Sequence, residues 1–98
     1  MNTNEDYFEI VVSNLDVEDI GIMAFLHKNN AIDSIYAIKT SVIREQIGMS
    51  KSSLNQVLNR LKLANLIQSI HNSNKYSIFL TEFGKAALHI KTNGGMKL

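Results

Sequence analysis

A mainly α fold with a small antiparallel β-sheet (α+β) is predicted by three features of this chain. Leu54, Val57, Leu58 and Leu61 recur at i, i+3, i+4 and i+7 with polar residues between them, the single buried stripe of an amphipathic helix. Gly48 separates that helix from a shorter helical stretch at 40–47, so two helices meet across a tight corner. Two alternating segments, 66–70 and 76–80, flank Asn72-Ser73-Asn74, the pattern of a β-hairpin.

Each element follows from local chemistry. A first helix is expected from 4 to about 14, with Thr3 as N-cap and Asp6 three residues on, where a carboxylate suits the positive helix end. A second starts after Asp16, with Asp19 at the matching cap position, and ends near Asn29-Asn30. Its apolar residues form two stripes, Val17-Ile20-Ala24 and Ile22-Phe25-Leu26, so burial on two sides is expected, the second against another subunit. Residues 34–38 are β-prone and predict a short strand. The helix at 40–47 follows, then the helix at 51–64 with Ser50 as its N-cap, closed by Ala64-Asn65. After the hairpin, Thr81 caps a last helix running to about 90, with Phe83, Ala87 and Ile90 inward. Ninety-eight residues hold one core, so 1–91 is expected to be one domain and 92–98, with Gly94-Gly95, a flexible tail. Helix-turn-helix followed by a hairpin is the winged helix-turn-helix arrangement.

The net charge of +1 conceals a polarity. Residues 1–33 hold seven acidic groups against Lys28, a balance of −6. Residues 34–80 hold Lys39, Arg44, Lys51, Arg60, Lys62 and Lys75 against Glu45, a balance of +5. A basic centre steers a polyanion to one surface, and the acidic end keeps the other surface away from it.

Catalysis finds no constellation to work with. His27, His71 and His89 sit on separate elements, and the serines lack a nucleophile turn or a base partner. No metal site and no cofactor are expected, and the chain is not expected to be an enzyme. The absence of cysteine suits a cytoplasmic protein. The acidic start does not resemble a signal peptide, and no apolar run is long enough to span a bilayer, so no membrane partner is expected.

Double-stranded DNA is the partner that the pattern fits. The 51–64 helix hides its leucines and offers Ser52, Asn55, Gln56, Asn59 and Arg60 on the other face, none of them acidic. Phosphate candidates are Thr40, Ser41, Arg44, Lys51, Lys75 and His71, together with the N–H groups that follow Ser50. Base-reading candidates are Ser52, Ser53, Asn55 and Gln56. Asn74 is a turn former beside Lys75 and joins it on the wing side of the duplex.

Residues 42–54, followed by Leu66-Ile67 and by Tyr76-Ser77-Ile78-Phe79-Leu80-Thr81-Glu82-Phe83-Gly84, resemble winged-helix regulators in general. The block from Asp19 to Asn29, the roughly hundred-residue length and the lack of an effector domain are similar to the TubR family more narrowly. That family comprises centromere-binding proteins of tubulin-type plasmid partition systems. The resemblance implies a homodimer on repeated centromere sites that links them to TubZ, a tubulin-like GTPase, and represses its own operon. It also implies that Ser50, Lys51, Ser52 and Ser53 enter the groove while Lys75 lies in the wing. An ordinary winged-helix transcriptional repressor without a partition role is the alternative, and a winged helix used only for protein contact is a further one.

Overall fold

The computed structural model describes residues 3–72 and 75–92. The elements are α1 (Thr3–Ser13), α2 (Val17–Lys28), a 3-10 turn (Ser34–Tyr36), β1 (Ile38–Lys39), α3 (Thr40–Ile47), α4 (Lys51–Leu63), β2 (Ile67–Asn72), β3 (Lys75–Leu80) and α5 (Glu82–Thr92). The strands form one antiparallel sheet in the order β1-β3-β2, with Ile78 of β3 opposite both Ile38 and Ser69. The winged helix-turn-helix expected from the sequence is therefore the fold.

Three boundaries differ from expectation. The strand expected at 34–38 is only Ile38–Lys39, because the Asp33 carboxylate accepts the N–H groups of Ile35 and Tyr36 at 3.0 and 3.2 Å and curls the chain into a 3-10 turn first. Thr3 lies inside α1 rather than capping it. At the other end α5 continues to Thr92, whose hydroxyl donates to the Leu88 carbonyl at 2.8 Å, so the expected tail loses its first residue to the helix. The rest of that tail, 93–98, lies outside the described residues.

Helix termini set the path between elements. Both α2 and α4 end on an asparagine in the left-handed region, Asn30 at φ 63° and Asn65 at φ 64°. In each, the next N–H reaches back five residues, Ala31 to the Leu26 carbonyl at 2.8 Å and Leu66 to the Leu61 carbonyl at 3.0 Å. Ala31 and Leu66 are consequently driven into the core, where both are fully buried. Gly48, at φ 82°, ends α3 in the same region and sets the corner of the helix-turn-helix.

The core gathers Ile22, Met23 and Leu26 of α2, Ile43 of α3, the α4 stripe, Ile67, Ile78 and Leu80 of the sheet, and Ala87 and Leu88 of α5. Helix α2 buries Ile22, Met23 and Leu26 under α4, α5 and β3, whereas Val17 is exposed and Ile20 and Ala24 are half-buried. The apolar side chains left in solvent near the N-terminus are Tyr7 and Ile10 of α1 and Val17, which is 86% exposed. Helix α1 is held on α5 by Phe83, whose ring stacks on Tyr7 and meets the edge of Phe8 at 5.1 Å.

Arg60 is the largest departure on α4. Periodicity puts it on the open face, but its guanidinium donates to the Asp19 carboxylate at 2.7 Å and lies 3.5 Å from Asp16. Asp16 and Asp19 already cap each other's backbone N–H groups at the start of α2. Asp19 is 2% exposed, so Arg60 supplies the cation that a buried carboxylate requires. Arg60 itself is half in water, which limits the pair to about 1–2 kcal/mol. The Asp16 carboxyl is held below the usual carboxylate range, first by the Asp19 N–H it accepts and also by the Arg60 charge, against a desolvation penalty.

The glycines of α2 and α5 stand in opposite surroundings. A Cβ at Gly84 would collide with the Leu66 carbonyl and lie 2.8 Å from Leu80 Cδ1, whereas one at Gly21 meets nothing. Gly84→Ala is expected to destabilise the fold by about 1–3 kcal/mol, and Gly21→Ala to stabilise it by about 0.5–1 kcal/mol, as read from urea midpoints. The depressed Asp16 carboxyl contributes stability that is complete above its unfolded value of about 3.9 and is lost as pH falls through the lower folded value. An asparagine in its place would still cap α2 without ionising. Asp16→Asn should therefore lose less Tm than the parent between pH 7 and pH 3.

Candidate nucleic-acid interface

Helix α4 is seated by its buried stripe, and its remaining surface divides into three ridges at about 100° per residue. Lys51, Asn55, Asn59 and Lys62 fall on the flank facing the sheet. Ser52, Gln56 and Leu63 form the outermost ridge, all exposed. Ser53 and Arg60 face the α2 side, where Arg60 is engaged with Asp19.

The sheet-facing flank forms one wall of an open channel of about 760 Å³. The opposite wall comes from β1, the start of α3 and the sheet, through Lys39, Thr40, Ser41, Ser69, Lys75 and Tyr76, with Leu58 and Ile78 at its base. Register explains the sheet side. Tyr76, Ile78 and Leu80 alternate onto one face of β3, and His71 and Ser69 lie opposite Tyr76 and Ile78 on β2. The inner part of this face is core, while its outer part, beyond α4's leucines, is left to line the channel. His71 and Tyr76 stack with ring centroids 4.4 Å apart, making a flat shelf at the outer end.

Lys39, Lys51, Lys62 and Lys75 all line this channel, and no carboxylate does. None of the four takes part in the ion pairs among the described residues. An adjoining cleft shares Thr40, Ser41, Lys51 and Asn55 with the channel and adds Arg44. Lys39, at the N-cap of α3, makes no side-chain capping bond, so the first N–H groups of α3 are not capped by it. Ser50 does cap α4, accepting the Ser53 N–H at 3.1 Å.

Of the residues singled out from sequence, Thr40, Ser41, Arg44, Lys51, Asn55 and Lys75 are thus brought to one surface. His71 joins that surface through its ring contact with Tyr76. Ser52 and Gln56 project from the outer ridge, Ser53 from the far side, and Ser50 sits at the helix entrance. Asn74 lies outside the described residues. Sequence reasoning missed Lys39, Lys62, Ser69 and Tyr76 as channel residues. Lys62 stands on the ridge of Lys51 and Asn55, a spacing visible in the sequence. Lys39 depends on β1 pairing with β3, which local pattern does not reveal.

Among the described residues no group of His, Cys, Asp or Glu could hold a metal ion, and no helix is long and apolar enough to cross a membrane. No family model matches the chain. The DNA-binding protein TubR of Priestia megaterium is 32% identical over 83 residues, covering 85% of this chain and 82% of that protein. The solved structure of TubR from Bacillus megaterium pBM400 superposes with a TM-score of 0.81 at 32% identity, over 86% of this chain and 93% of that one. The PcaV transcriptional regulator of Streptomyces coelicolor shares the fold, with a TM-score of 0.67 at 13% identity over 84% of this chain and 60% of its own. With a third of its residues identical across most of both chains, this protein belongs to the TubR family.

Proposed function

We propose that the protein is a homodimeric, sequence-specific DNA-binding protein and a plasmid partition adaptor, which binds centromere repeats and links them to a tubulin-like GTPase of the TubZ kind. Kinship with a DNA-binding TubR supports the partition role. The observation that carries DNA binding is the convergence of Lys51, Asn55 and Lys75 with Thr40 and Ser41 on one surface free of carboxylates.

In this reading Thr40, Ser41, Arg44, Lys51 and Lys75 hold phosphates, with His71 and Asn74 on the wing side. Ser50 positions the entrance of α4, and Ser52, Ser53, Asn55 and Gln56 meet base edges. Asn and Gln both donate and accept, which lets either form a bidentate pair with adenine. The exposed Tyr7, Ile10 and Val17 supply apolar surface for the second copy.

Binding to tandem repeats from the protein's own plasmid tests the reading. Log affinity should fall linearly with log salt, and Lys51→Ala or Arg44→Ala should each lower the slope by about 1. Asn55→Ala should leave that slope in place and remove about 1–3 kcal/mol of discrimination against a substituted base pair. Equal affinity for repeat and random duplex would refute sequence-specific binding. Ile10→Glu should convert a sedimenting dimer into monomer, and co-pelleting with tubulin-like filaments should require the repeat DNA.

A further inference from the structure

We propose that one sugar–phosphate strand of the duplex runs lengthwise through the channel between α4 and the sheet, and that Lys39 and Lys62 are phosphate contacts at its walls. This rests on the DNA-binding reading and adds two residues and a strand path to it.

The argument begins with spacing. Lys51 and Lys62 bound a ridge eleven residues long, about 16 Å of helix. One strand carries one phosphate charge per nucleotide, so a ridge of this length passes more than one phosphate of a strand laid along it. A contact confined to the N-terminal end of α4 would use Lys51 and leave Lys62 idle. Lys39 and Lys75 stand on the opposite wall, so cations flank the channel on both sides.

The chemistry fits a phosphodiester better than a base edge on these walls. Ammonium groups only donate, and phosphate oxygens only accept. Bases present donors and acceptors together, which Asn55 and Asn59 on the same ridge can answer but lysines cannot. Between the walls, the base of the channel is apolar at Leu58 and Ile78, and Tyr76 is 51% exposed on its shelf. Apolar surface of that kind suits deoxyribose rather than charge.

Salt titration of repeat DNA against Lys39→Ala, Lys62→Ala and the double variant tests this. Each single change should lower the slope of log affinity against log salt by about 0.9, and the double by about 1.8, with the preference for repeat over random duplex retained. Lys39→Arg and Lys62→Arg should keep the parental slope. Lys85→Ala, on α5 and paired with Glu82, should also keep it. Thermal unfolding of every variant verifies the fold. If the double variant keeps the parental slope while Lys51→Ala lowers it, the strand path is wrong and DNA binding stands. If the parent shows no salt-dependent duplex binding, the functional reading itself is wrong, and the strand path falls with it.

Discussion

The rotation of α4 about its own axis is the constraint on which the rest of the structure depends. Leu54, Val57, Leu58 and Leu61 are all at most 4% exposed, and burying them contributes roughly 6–12 kcal/mol before the entropy of ordering is counted. Turning the helix by one residue would exchange leucines for Asn55, Asn59 and Lys62 in the core. Arg60, bonded to Asp19, adds only about 1–2 kcal/mol, but it acts from the α2 flank and at the far end of the stripe. Hydrophobic burial therefore decides how α4 sits, and the ion pair restricts how far it can roll.

That seating has consequences for the charges. Because Arg60 is held on α2, it is not offered on the open face with Gln56 and Asn59. The outermost ridge is left with neutral groups, Ser52 and Gln56, while lysines line the sheet-facing flank. In the proposed complex the outer ridge offers only uncharged hydrogen-bonding groups for bases, while the channel ridge combines cations for phosphates with Asn55. The acidic balance of residues 1–33 has a matching structural role, since Asp16 and Asp19 are engaged in capping α2 and in holding Arg60.

How much of this is legible in the sequence follows from the range of each interaction. The Asp16–Asp19 capping box, the leucine stripe, Gly48 and the hairpin depend on near neighbours in the chain, and local pattern reveals them. The 3-10 turn at Ser34–Tyr36 is hidden because Ile35, Tyr36 and Ile38 are β-prone; the Asp33 carboxylate outcompetes that propensity by taking two N–H groups. Arg60 is misplaced for the opposite reason. On α4 alone it belongs to the polar face, and its partner Asp19 is 41 residues away. Lys39 reaches the interface only through the pairing of Lys39 with Ser77 across β1 and β3.

The shortness of β1 is what opens the channel at all. Ile38 pairs with Ile78 and continues the core face of the sheet, but the strand stops after Lys39 and turns directly into α3. A longer β1 would have continued alongside β3 toward the hairpin and carried α3 away from the sheet. As built, Thr40 and Ser41 are the first residues of α3 and at the same time part of the channel wall. The Asp33-capped turn shortens β1 at its other end, away from the hairpin, so it is the stop at Lys39 that sets where the hydroxyls of α3 meet the lysines of α4 and β3.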